Sequence, residues 1–128
     1  MVYAIIVGQG QLPQAMLEAA RAIVPDVDGV SSLSNVECPV GKLRTRLEQA
    51  IMALPDGDDV IVFADMFGSS CANAGLEVKR RHSRVAVLSG VNLSMIVRFL
   101  CHRNRKPFAE LVPFLVETGR GAVQAIEL

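Results

Sequence analysis

Short apolar runs and longer stretches of helical spacing take turns along this chain. Val2 to Val7 is an apolar run that stops at Gly8, which predicts a strand buried on both faces. Leu12, Met16, Ala19, Ala20 and Ile23 then recur at helical spacing. Pro13 falls in the first turn of that helix, where a missing N–H costs little, and Pro25 closes it. Gly29 to Ser34 reads as a weaker, half-polar strand suited to a sheet edge. Val40, Leu43, Leu47, Ala50, Ile51 and Leu54 follow i, i+3, i+4 spacing and predict the clearest amphipathic helix, ended by Pro55-Asp56-Gly57. Val60 to Ala64 is a third strand, and a Gly-Ser-Ser turn leads into a helix from about Cys71 to Arg81. Val85 to Leu88 is a fourth strand. Asn92 to Cys101 and Phe108 to Glu117 read as helices, the second despite Pro113. Thr118-Gly119 and Gly121 break the pattern, and Ala122 to Ile126 is suited to a last strand.

Alternating strands and helices imply right-handed crossovers and a parallel sheet with helices on both faces. Ligands of such sheets bind beyond the carboxyl ends of the strands. Three loops therefore stand out: Gly8 to Leu12, Asp65 to Ser70 and Ser89 to Asn92. There is no internal repeat or linker, so residues 1–128 are expected to form one domain.

Composition agrees with a globular core: 51% of residues are hydrophobic and 20% charged. The formal net charge is zero, which gives no general pull toward nucleic acid or membrane. No apolar run reaches the roughly 18 residues of a membrane span. The N-terminus lacks the basic start and cleavage pattern of a signal peptide. Three cysteines, Cys38, Cys71 and Cys101, without C-x-x-C spacing fit free thiols in a reducing compartment, so a cytoplasmic protein is expected. His82 and His102, twenty positions apart, do not suggest a metal pair, and no cofactor is expected.

Each candidate loop carries a structural and a functional reading. In Gly8-Gln9-Gly10-Gln11, the glycines permit close approach of backbone to an anion at a helix start, or simply a tight turn. A dinucleotide fingerprint is poorly met, because the third glycine is missing. In Asp65-Met66-Phe67-Gly68-Ser69-Ser70, Asp65 is placed to orient a histidine, bind a cation or satisfy loop amides. Gly68, Ser69 and Ser70 offer donors to an oxyanion, or a helix cap. Cys71 is either a thiol activated by the helix start or a small buried residue. Asn92 is suited to capping the next helix, with hydrogen bonding across to the first loop as the alternative. Between Lys79 and Lys106 the chain has eight Lys and Arg and no Asp or Glu. That run is either one basic docking face or two ordinary basic helix ends. It lacks the interleaved aromatics of a nucleic-acid surface.

Four segments together resemble the IIA domain of the mannose-type (mannose/fructose/sorbose) sugar phosphotransferase system. They are Ala4-Ile5-Ile6-Val7-Gly8, Val62 to Ser70 followed by Asn73-Ala74, Val87 to Met95, and Glu117-Thr118-Gly119-Arg120. The resemblance implies a doubly wound α/β fold with a four-stranded parallel sheet. It also implies a homodimer in which a C-terminal antiparallel strand, here Ala122 to Ile126, is swapped between subunits. The implied role is phosphocarrier: a first-loop histidine takes phosphate from the histidine phosphocarrier protein and passes it to a IIB partner, near a membrane permease complex. Asp65 matches the carboxylate that partners that histidine, and Ser70 with its loop matches the donors around the phosphoryl group. Gln9, Gly10, Gln11, Phe67, Gly68, Ser69, Ser70 and Asn92 make up the implied ligand site. Aligned from Gly8, however, the histidine position falls on Gly10. The expectation is a non-phosphorylatable regulatory or docking variant. The alternatives are a carrier using Asp65 or Cys71 as acceptor, and a sensor of small anions using the vacated pocket.

Overall fold

The computed structural model describes residues 1–38 and 41–127. Four strands, β1 (Tyr3–Gly8), β2 (Val30–Ser34), β3 (Val60–Ala64) and β4 (Val85–Ser89), form one parallel sheet in the order β2-β1-β3-β4. Five helices are interleaved with them: α1 (Leu12–Ile23), α2 (Leu43–Met52), α3 (Ser70–Arg81), α4 (Leu93–His102) and α5 (Phe108–Gly121). Sequence and structure agree on the four strands and on the edge position of β2. Val40, where the apolar pattern of α2 starts, lies outside the described residues.

The sheet separates two cores. On one face Ile6, Phe63 and Leu88 pack with α1, α4 and α5, and Phe63 meets Phe99 edge to face at 5.5 Å. On the other face Ile5, Val7 and Val62 pack with α2 and α3 through Leu47, Ile51 and Val78. All five residues of β3 are buried, as an apolar run inside a parallel sheet requires. The fold is therefore doubly wound, as expected.

The C-terminal region differs from the sequence reading in where α5 ends. Helix α5 runs through Thr118 and Gly119 to Gly121 instead of stopping near Glu117. Gly119 is buried there because it faces Met95, and a Cβ at this position would collide with the Met95 methyl. It is a point of close helix approach, not a breaker. Pro113 is tolerated because it and Ala109, whose carbonyl loses its helical partner, are both exposed to water. Residues 122–127 form no strand within the chain, and Val123 and Ile126 are 82% and 97% exposed.

Phe63 is fully buried and anchors the α1–α4–α5 core. Phe63→Ala is expected to cost about 3–5 kcal/mol, read as a lowered urea midpoint with an unchanged slope.

Candidate functional site

β1 and β3 lie side by side, yet α1 follows one onto the first face and α3 follows the other onto the second. The loops diverge at their carboxyl ends and leave the crevice where open α/β sheets bind ligands. Register places Val7 opposite Ala64, so Gly8 and Asp65 meet at the floor of that crevice. A Cβ on Gly8 would stand 3.6 Å from the Cβ of Asp65 and 3.3 Å from Cδ of Pro13. The small residue allows the two loops to touch.

The Asp65 loop is organised around one carboxylate oxygen. Asp65 Oδ1 accepts from the Met66 amide at 2.8 Å and from the Ser69 hydroxyl at 2.6 Å. Ser69 Oγ in turn accepts from the Ala72 amide at 3.0 Å and caps α3. Both structural roles weighed from the sequence are thus filled: Asp65 satisfies a loop amide and Ser69 caps. Oδ2 of Asp65 makes no hydrogen bond among the described residues, and Ser70 is exposed at the helix start. Gly68 takes the left-handed conformation (φ +82°), and Phe67 beyond it is 90% exposed.

The first loop is held from a side that sequence reasoning missed. Ser34, buried at the carboxyl end of β2, donates to the Gly10 carbonyl at 2.6 Å and accepts from the Val36 amide. Asn35 Oδ1 accepts from the Gly10 amide at 3.3 Å. The signal is in the sequence: Ser34 ends β2 and Asn35 follows it, at a strand end like the other three loops, whereas Gly29 to Ser34 alone reads as a half-polar edge strand. Gly10 has φ +63°, and a Cβ there would meet nothing within 4 Å. Gln9 and Gln11 are exposed on either side. Asn35, Ser70 and Asn73 line a cleft of about 560 Å³ between α2 and α3.

Other candidates lie elsewhere or are already engaged. Asn92 caps α4 through the Met95 amide at 3.0 Å and donates to the Gly119 carbonyl at 3.0 Å, so its amide ties α4 to α5 and not to the first loop. Cys71 is 1% exposed, and burial, then the Asp65 charge, push its thiol pKa up. The activated thiol considered from the helix start is therefore opposed by its surroundings. His82 precedes β4 and His102 ends α4, so both belong to the amino-end pole of the sheet. His82 pairs with Glu48 at 2.9 Å, and His102 packs edge-on against Phe114 at 4.8 Å. The basic run also divides. Arg81 joins the Glu48 cluster, Arg84 donates to the carbonyls of Ile51 near the end of α2 and of Asp58 before β3, and Arg98, Arg105 and Lys106 lie around His102. Among the described residues no group of three or more His, Cys, Asp or Glu side chains is arranged to hold a metal. No described helix is long and apolar enough to cross a membrane.

An open parallel sheet with a polar, glycine-bearing crevice at its switch point defines a class of small ligand- or group-binding α/β domains. Comparison with known proteins narrows the class. The profile of the family described as the PTS system fructose IIA component matches residues 3–116, and the chain belongs to that family. It is 29% identical over 134 residues to the PTS system mannose-specific EIIAB component of Escherichia coli K12, covering 99% of this chain. The chain spans 40% of that relative's length. It is 24% identical over 113 residues to the PTS system fructose-specific EIIA component of Bacillus subtilis, covering 88% of this chain and 77% of that one. In structure it is similar to the phosphotransferase system component EIIA of Streptococcus agalactiae. The TM-score is 0.88 at 21% identity, with 98% of this chain and 97% of the other covered, which supports the fold.

Two measurements check this geometry. Ser34→Ala leaves the Gly10 carbonyl and Val36 amide without their partner. It is expected to cost roughly 1–3 kcal/mol and to speed hydrogen exchange at residues 9–11. Glu48 has its pKa lowered, first by the His82 hydrogen bond and then by the charges of Arg81, His82 and Arg44, against desolvation. Its ionised form is therefore stabilised by folding. That contribution is complete above the ordinary value of 4.5 and is lost as pH falls through the lower folded value. The stability gap between the wild type and Glu48→Gln should be present at neutral pH and close in acid, as read by urea unfolding at stepped pH.

Proposed function

We propose that this chain is a IIA-type component of a sugar phosphotransferase system that does not itself carry phosphate and acts as a regulatory or docking variant. The observation that carries this reading is Gly10. The family resemblance puts the acceptor histidine there, and a glycine offers no nucleophile. Gln9 and Gln11 cannot substitute, because an amide nitrogen's lone pair is delocalised into its carbonyl. His82 and His102 belong to the opposite pole of the sheet. Asp65 has one oxygen committed to two hydrogen bonds, and the buried Cys71 thiol is held protonated. Neither favours service as the acceptor.

The crevice still supports binding. Ser70, Asn35 and Asn73 line an open cleft, and Phe67, on the same loop as Ser70, stands exposed. Exposed apolar side chains next to a polar site suit protein docking. The partners in this reading are a IIB-like protein or the histidine phosphocarrier protein, in the cytoplasm beside a membrane permease. The outer edge of β4 is unpaired within the chain, and residues 122–127 carry the exposed Val123 and Ile126. A second copy that adds this segment antiparallel to β4 would cover both, so a homodimer is part of the proposal.

The test is incubation with phosphoenolpyruvate and the general phosphotransferase proteins, read by intact mass. The wild type is expected to show no phosphate adduct. Gly10→His is expected to acquire one, since there is room for the side chain and histidine is among the residues that tolerate positive φ. A wild-type adduct abolished by Asp65→Asn or Cys71→Ser would overturn the non-carrier reading and identify the acceptor. For the dimer, sedimentation should give twice the chain mass, falling to one after Val123→Asp with Ile126→Asp. A monomeric wild type would remove the strand exchange.

A further inference from the structure

At the pole opposite Gly10, the α4–α5 turn, the residues before β1 and the turn before β3 border an open cleft of about 450 Å³. Arg103 lines it. This arginine is only 4% exposed, and Ser34 is the one other buried polar residue among those described. A buried guanidinium is normally matched by a carboxylate. Arg103 has none within ion-pairing distance among the described residues. Its contacts are one long hydrogen bond from Nη1 to the Val2 carbonyl at 3.5 Å and the Phe99 ring, whose centre is 5.6 Å from Cζ. Those satisfy little of a group with five N–H donors. No fully buried side-chain nitrogen or oxygen in the described residues lacks a partner, so Nε and Nη2, which make no hydrogen bond among them, each keep a little exposure. The opening that Arg103 lines is this cleft.

Two further features give the same wall a positive character. Arg105 and Lys106 also line the cleft; neither forms a salt bridge among the described residues, and the Lys106 ammonium lies 4.7 Å from the centre of the Phe114 ring. Helix α5, fourteen residues long, starts there behind Pro107 without a side-chain cap. Its first backbone bonds are made by Glu110 and Leu111, which leaves the Phe108 and Ala109 amides open. The opposite wall carries Asp58 and Asp59. A ligand that suits both walls has an oxyanion at one end and hydroxyl or ammonium donors at the other.

We infer that the Arg103 cleft is a second binding site, separate from the Gly10 crevice, for a small phosphate- or carboxylate-bearing molecule whose oxyanion sits on Arg103 and the start of α5. Arginine matches either oxyanion in a fork of two hydrogen bonds, and an open helix start adds donors and favourable dipole.

The experiment is a two-dimensional amide NMR titration of the whole chain with inorganic phosphate and, separately, acetate, at constant ionic strength. Saturable shifts are expected at Val2 and at residues 104–109 with at least one anion, and the anion that gives them distinguishes phosphate from carboxylate recognition. Arg103→Gln should weaken that binding by at least about tenfold. The absence of saturable shifts at this pole with both anions, or shifts that persist unchanged in Arg103→Gln, would overturn the inference. Should Arg103→Gln not fold, Arg105→Ala with Lys106→Ala serves in its place. A several-fold loss supports the site, and unchanged affinity overturns it.

Discussion

The close parallel pairing of β1 with β3 is the constraint on which the rest of the molecule depends. Both strands are apolar enough to be buried on two faces, so neither face of the sheet can be left to water. Right-handed crossovers then send α1 to one side and α3 to the other, and their loops part where the strands end. Gly8 and Asp65 bring the two loops into contact. A larger residue at Gly8 would press on Pro13 in the first turn of α1 and on Asp65 together. The position of the crevice thus follows from strand burial, and its narrow floor from one missing side chain.

The organisation of the fold was legible because its signals are local. The β1 and β3 runs are continuous and apolar, Pro13 and Ser69 mark helix starts, and the half-polar β2 lies at an edge. Asp65, Ser69 and Ser70 were legible for the same reason, since each sits where a strand gives way to a helix. The rest was carried by contacts between residues far apart in sequence. Gly119 looks like a breaker until Met95 is seen against it. Ser34 and Asn35 look like edge polarity until Gly10 is seen bonded to both. The basic run from Lys79 to Lys106 reads as one feature along the chain. Folding distributes it among an ion-pair cluster around Glu48, carbonyl capping by Arg84, a buried Arg103 and an exposed group around His102.

Gly10 now has a more exact physical description. Its amide and carbonyl are both held by β2-end side chains, and its positive φ is the conformation glycine adopts most readily. Nothing in the surrounding packing needs a side chain there, because the space beside it is open. The Asp65–Ser69–Ala72 chain of hydrogen bonds likewise closes on itself without any group from the first loop. A side chain at position 10 would meet open space, and its cost would be that of the left-handed backbone, about 1–2 kcal/mol. The packing around the crevice and its exposed rim thus does not rest on a side chain at position 10. The opposite pole has the reverse logic. Arg103 is built into the core between Val2 and Phe99, so whatever its free donors bind is coupled directly to the packing of β1 and α4.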